Sequence, residues 1–160
     1  MTIDDDIAFL ERVPTLALLG RDALRILAIG AESRYVHDGD VLFREGEVAD
    51  AGYVIQEGSF RLASGRARAG LDPVTVGPGA LLGELALLTE TVRPATATAN
   101  EPSSVIRIPR KLFLKMLEGY PDAANRLREI VALRAQEAMS EIDSVRPVFD
   151  GAESRGNISP

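Results

Sequence analysis

Between Glu32 and Pro109, glycine or proline interrupts the chain every few residues, and what lies between the interruptions is short and β-prone. The runs 33–36, 41–43, 53–56, 59–63, 74–76, 95–99 and 103–108 are separated by Asp38-Gly39, Glu45-Gly46, Glu57-Gly58, Gly65, Asp72-Pro73, Gly77-Pro78-Gly79 and Glu101-Pro102. No helix of ordinary length fits such spacing, whereas many short strands joined by tight turns form an antiparallel barrel or jelly-roll sandwich. The run Ala95-Thr96-Ala97-Thr98-Ala99 alternates strictly, as a strand with one face in a core must.

The flanks read differently. Asp4, Asp5 and Asp6 precede Ile7, Leu10 and Val13, whose three-residue spacing places them on one helical face. Acidic residues in a first turn are favoured by its free amides and by the positive end of the helix dipole. A second helix is expected after Pro14, ending near Gly30. Beyond Pro109, Leu112, Met116 and Leu117 mark a short amphipathic helix that ends at Gly119. Pro121 opens a longer one carrying Leu127, Ile130, Val131, Arg134, Ala138 and Ile142 on roughly one face. The expected class is α+β: an antiparallel β-roll or jelly-roll barrel of about eight short strands, with N-terminal helices and two C-terminal helices. The expected layout is one domain over 1–144 (helices 3–30, β-roll 32–109, closing helices 110–142). Residues 145–160 lack periodicity and are expected to form a disordered tail.

Composition narrows the chemistry. Asp and Glu number 24 against 18 Lys and Arg, a net charge of -6, and the only lysines are Lys111 and Lys115. Nucleic acids and anionic membranes are gripped by clustered cations, so neither is expected as a partner. With no cysteine and a single histidine, thiolate chemistry, disulfides and His-rich metal centres are excluded. No metal and no catalysis are expected. His37, beside Asp38 and Gly39, belongs to a polar turn. The acidic start lacks the positive region of an export signal, so a cytoplasmic protein is expected.

The segment 81–97, LLGELALLTETVRPATA, carries the most information. Gly77, Gly79 and Gly83 allow backbone conformations and close approaches closed to other residues. Residues 84–88 make one helical turn, whose free amides would face an anion. Arg93 follows Glu84 by nine residues, just before an apolar strand, where a guanidinium can grip a phosphate in a two-pronged contact. A carboxylate beside that phosphate is tolerable only if it meets hydroxyls, which suits Glu84 to a ribose. The bland alternative is a surface Glu84–Arg93 ion pair, contributing little.

Gly83-Glu84-Leu85-Ala86-Leu87-Leu88 followed by Arg93-Pro94-Ala95-Thr96 resembles the phosphate-binding cassette of cyclic nucleotide-binding domains, found in cAMP-dependent protein kinase regulatory subunits, cyclic-nucleotide-gated channels and the catabolite activator protein. Gly39-Asp40-Val41-Leu42-Phe43, Gly46-Glu47 and Tyr53-Val54-Ile55-Gln56-Glu57-Gly58 resemble the early strands of the same β-roll, and the likeness covers about residues 3–142. The resemblance implies that Glu84 binds the ribose 2′-hydroxyl and Arg93 the cyclic phosphate. The amides of Leu85 and Ala86 would cap the phosphate, and Gly83 would permit close approach. Pro94 and Ala95 complete the expected ligand-binding set. Pro94 departs from the family's Ala, Ser or Thr and has no N–H to offer. Since a Thr there typically holds guanine, cAMP is expected over cGMP.

The implied function is a stand-alone cyclic nucleotide sensor or adaptor that repositions its C-terminal helices and acts through an unknown protein effector or self-association. About twenty residues after the last helix leave no space for the helix-turn-helix of the family's transcription factors. The rival is a non-catalytic interaction module with a degenerate pocket. A small barrel enzyme would need clustered His or carboxylates, which one histidine does not supply.

Overall fold

A computed structural model of the chain describes residues 2–65, 73–130 and 132–133. Three helices come first: α1 (Ile3–Leu10), α2 (Pro14–Ala17) and α3 (Arg21–Gly30). Thr2 caps α1. Its hydroxyl accepts the Asp5 amide at 3.1 Å while its own amide donates to the Asp5 carboxylate at 3.2 Å, a reciprocal capping box. Hydrogen bonds from the Thr2 backbone and hydroxyl hold the Asp5 carboxyl below its ordinary pKa. Ile7 and Leu10 are buried as their spacing requires, and Val13 is buried just beyond the helix end. The single helix expected between Pro14 and Gly30 is two helices, separated at Gly20.

Ten strands follow: β1 (Glu32–Val36), β2 (Val41–Phe43), β3 (Val48–Ala49), β4 (Ala51–Glu57), β5 (Phe60–Ala63), β6 (Val74–Val76), β7 (Leu81–Leu82), β8 (Thr91–Val92), β9 (Thr96–Ala99) and β10 (Ser103–Pro109). The expected seven runs are all strands, and β3, β7 and β8 are additional. All pairings are antiparallel. One sheet has the order β1-β10-β4-β7, a second β2-β9-β5-β6, and β3 pairs with β8 in a two-stranded ribbon. A β-roll of two sheets and a ribbon is therefore the architecture. In the ribbon Thr91 pairs with Ala49 and Val92 with Val48. Two-residue strands are invisible to a periodicity of two, which needs at least four residues to show.

Both sheets contribute to the roll's core, which gathers Val36, Phe43, Tyr53, Ile55, Phe60, Leu82, Ala97, Ala99 and Val105. In β9, Ala97 and Ala99 are buried while Thr96 and Thr98 are half-buried, the alternation expected of that run. After β10 comes α4 (Arg110–Gly119), with Phe113 and Met116 inward; α1 packs on α3, and α3 on α4.

The chain divides into two compact units, Met1–Ala123 and Ala124–Pro160. Among the described residues, the first contains α1 to α4 and β1 to β10. In the second, residues 124–130 and 132–133 are helical. The rest of the expected last helix, with Val131, Arg134, Ala138 and Ile142, and the expected tail over 145–160 lie outside the described residues. Among the described residues no helix is long and apolar enough to cross a membrane.

Candidate functional site

Arg93 is the centre of the site, and both its backbone and its side chain are held by the roll. Its amide donates to Glu47 O at 2.8 Å and its carbonyl accepts the Gly46 amide at 2.9 Å. The β3–β8 ribbon lies directly alongside. These bonds turn the side chain inward, leaving Arg93 only 4% exposed. The guanidinium carbon sits 4.4 Å from the Phe43 ring centre and 5.4 Å from that of Tyr53. Nη2 donates to Ala51 O at 2.8 Å. Aromatic faces attract a desolvated cation by up to about 2 kcal/mol, enough to offset part of the cost of burying it. Burial pushes the Arg93 pKa below its ordinary value, opposed by the charges of Tyr53, Asp50 and Glu47. A buried Arg93 is no part of a surface ion pair.

One nitrogen is left over. Among the described residues, Arg93 Nη1 is the buried side-chain nitrogen or oxygen with no hydrogen-bond partner. An unmade bond at a buried charged donor is expensive, so an acceptor placed there would be stabilising. Gly83 lies over it. Its φ is +81°, and a Cβ there would collide with Arg93 Nη1 and come within 3.2 Å of Ala51 O. A glycine at this position accepts the left-handed backbone and keeps a side chain off Arg93 Nη1.

All seven residues singled out in the sequence (Gly83, Glu84, Leu85, Ala86, Arg93, Pro94 and Ala95) line one cavity of about 270 Å³, together with Phe43, Ala49, Leu62, Leu82, Thr91 and Val92. Glu84 precedes a 3₁₀ turn over Leu85–Leu87. Of the two amides expected to cap a phosphate, that of Ala86 donates to Gly83 O at 3.0 Å, so the turn itself already engages it. Glu84 Oε2 accepts the Thr15 hydroxyl at 2.8 Å. Pro94 is exposed and Ala95 half-buried.

Four supporting residues carried no site signal in the sequence. Phe43 and Tyr53 were legible only as strand residues, and nothing local marks Thr15 or Arg110. Arg110, opening α4, donates through Nη1 to Ala49 O at 2.9 Å, Thr89 O at 3.0 Å and Ala86 O at 3.3 Å. It ties that helix to the ribbon and to the end of the 3₁₀ turn. His37 takes no part: it is exposed and stacks edge-on against Tyr35, with ring centres 4.6 Å apart. No group of three or more metal-ligating side chains is gathered among the described residues.

The chain is similar to several known proteins. The chain is 32% identical over 127 residues to the cyclic AMP receptor protein of Thermus thermophilus, a match covering 78% of this chain and 57% of that protein. It is 29% identical over 118 residues to lysophospholipase NTE1 of Chaetomium globosum, covering 73% of this chain but 8% of the enzyme. Among solved structures, a cyclic nucleotide-binding-like protein of Brucella abortus is 42% identical, with a TM-score of 0.63 over 72% of this chain and 99% of that one. The Thermus thermophilus catabolite activator protein is 28% identical, with a TM-score of 0.69 over 89% of this chain and 66% of that one. Residues 33–120, more than half of the chain, match the family described as the cyclic nucleotide-binding domain. Those residues contain the ribbon, the buried arginine and the glycine packed against it, and by that match the chain belongs to the cyclic nucleotide-binding domain family.

Proposed function

We propose that this chain is a non-catalytic, cytoplasmic sensor module that binds cAMP in the cavity around Arg93 and passes occupancy to a protein effector or to a second copy of itself. The observation that carries the reading is the unpartnered Arg93 Nη1 beneath Gly83. A cyclic phosphate offers the anionic acceptor this nitrogen lacks, and binding it would make a charge-assisted bond in a desolvated site. Glu84, in the same cavity, would accept the ribose 2′-hydroxyl. The remaining lining is largely apolar, which suits a purine. A cavity of about 270 Å³ lies at the lower edge of the size usual for small-molecule sites, about 300 Å³ and upward. Any shift of the 3₁₀ turn would be felt at α4 through Arg110, whose guanidinium spans both. Such a shift is limited by the ligand's preference for one state over the other.

Isothermal titration of the full chain with cAMP, cGMP and 5′-AMP tests this reading. Binding of cAMP in preference to the other two is expected. Absence of heat with all three at high micromolar concentration would leave the degenerate interaction module as the better description.

A second expectation concerns Pro94, which has no amide to donate toward a phosphate. Pro94→Ala should restore that donor and tighten cAMP binding by about two- to tenfold, the value of one ordinary hydrogen bond. An unchanged dissociation constant would mean the phosphate is already satisfied without it.

A further inference from the structure

Of the residues that line the cavity, Glu84, Thr91 and Arg93 are the ones with polar side chains. An ionised Glu only accepts hydrogen bonds, so Thr91 and Arg93 supply the side-chain donors. Backbone donors on the same wall are partly spent. The Ala86 amide donates to Gly83 O at 3.0 Å, the Arg93 amide donates to Glu47 O at 2.8 Å, and Pro94 has none. Thr91 stands on β8 opposite Ala49, which is 1% exposed and lines the same cavity. Side chains directly opposite in an antiparallel pair share a face, and so do those two apart on one strand. Val92, between Thr91 and Arg93, is 53% exposed, whereas Arg93 is buried. Thr91 and Arg93 therefore share the inner face, with Cα atoms about 6.5 Å apart along the strand. The Thr91 hydroxyl is weakly held: its bond to Val92 O is 3.5 Å long, against about 2.5–3.0 Å for a good hydroxyl donor. Turning that proton toward a ligand gives up little.

We infer that Thr91 is a second phosphate-binding side chain: its hydroxyl donates to one exocyclic oxygen of the cyclic phosphate while the other meets Arg93 Nη1. The inference rests on the cAMP-binding reading and deepens it by assigning the second oxygen. A cyclic phosphodiester has two exocyclic oxygens that share one negative charge, and Arg93 has one buried nitrogen without a partner. That nitrogen serves one oxygen. A neutral hydroxyl serves the other without adding charge to the cavity. The two oxygens are diastereotopic, so a contact from the ribbon reads one of them and not its neighbour.

The test uses the full chain and titration calorimetry with cAMP and with the two diastereomers of adenosine 3′,5′-cyclic phosphorothioate. In each diastereomer sulfur, a weak acceptor, replaces one exocyclic oxygen. Thr91→Val keeps the shape and removes the donor, and Thr91→Ser keeps the donor. Thr91→Val should bind cAMP about three- to tenfold more weakly, the worth of one ordinary hydrogen bond. Toward the diastereomers the loss should be unequal: retained where oxygen still faces position 91, and largely absent where sulfur does. Thr91→Ser should restore cAMP affinity. Equal weakening toward both diastereomers would overturn the inference, because a merely structural change in β8 lowers affinity for any occupant. Unchanged cAMP affinity in Thr91→Val would overturn it as well. A wild-type protein that binds none of the three ligands would instead overturn the cAMP reading, and this inference with it. A wild-type protein that binds while Thr91→Val shows no diastereomer preference overturns the role of Thr91 alone.

Discussion

Arg93→Ala is expected to weaken cAMP binding by about ten- to a hundredfold or more, since a hydrogen bond to a charged group is worth roughly 1.5–3 kcal/mol net. Phe43 and Tyr53 hold the guanidinium carbon at 4.4 and 5.4 Å, Ala51 O takes Nη2 at 2.8 Å, and Nη1 has no hydrogen-bond partner. Thermal melting supplies a second readout through mass action. With cAMP at a hundred times the wild-type dissociation constant, the native state gains about 2.7 kcal/mol. A variant bound a hundredfold more weakly gains about 0.4 kcal/mol at the same concentration. Without ligand the variant should still fold. Stranding Ala51 O costs about 1–3 kcal/mol, and relief from burying a charge offsets part of it. Arg93→Lys should fall between, because a single ammonium cannot serve Ala51 O and a phosphate with the forked geometry of a guanidinium. Wild-type affinity in Arg93→Ala would remove the phosphate contact from this site.

The largest effect on stability is expected away from the cavity, at Gly58, in the turn between β4 and β5. Its φ is +88°, and an added Cβ would collide with Ser103 Oγ and lie 2.6 Å from Ser103 Cβ and 2.8 Å from Ser103 Cα. Ser103 cannot step aside. It begins β10, is 2% exposed, and its hydroxyl donates to Glu101 O at 2.8 Å. Left-handed backbone costs a residue with a Cβ about 1–2 kcal/mol, and overpacking a filled site adds about 1–3 kcal/mol. Gly58→Ala should thus lose roughly 2–5 kcal/mol in denaturant unfolding, a large part of the 5–15 kcal/mol typical of a domain. Gly79→Ala is the control. Its φ is +90° with nothing within 4 Å of the added atom, so it should lose only the backbone part, about 1–2 kcal/mol. Equal losses at the two glycines would show that the contact with β10 is not what matters.

Much of this was legible in the chain itself because each signal was local. The run Ala95–Ala99 announced its buried face through alternation, and β9 buries Ala97 and Ala99. Asp4 to Asp6 announced a helix start, and Asp5 completes the cap with Thr2. The cassette residues lie within 83–95, so a single stretch of sequence named them, and one cavity collects them. What escaped was short or distant. Strands β3 and β8 have two residues each, too few for any pattern. The break at Gly20 was hidden because Leu16, Leu19, Ala23 and Leu24 are apolar on both sides of it.

Spacing along the chain carried the punctuated β-roll, its helical flanks and residue types suited to a phosphate and a sugar, and the resemblance of the cassette implied that the phosphate is cyclic. Only the tertiary structure decided how those residues are held. Gly46 and Glu47 read as strand-turn residues, yet their backbone groups fix Arg93 at 2.9 and 2.8 Å. Phe43 and Tyr53 read as strand residues, yet they flank its guanidinium. Thr15 and Arg110 read as nothing in particular, yet one holds Glu84 and the other ties α4 to the end of the 3₁₀ turn. The physical reason is that orientation comes from partners brought together by folding. A buried cation can wait with one nitrogen unpaired only where rings and carbonyls from several strands converge on it, and no local pattern encodes that convergence.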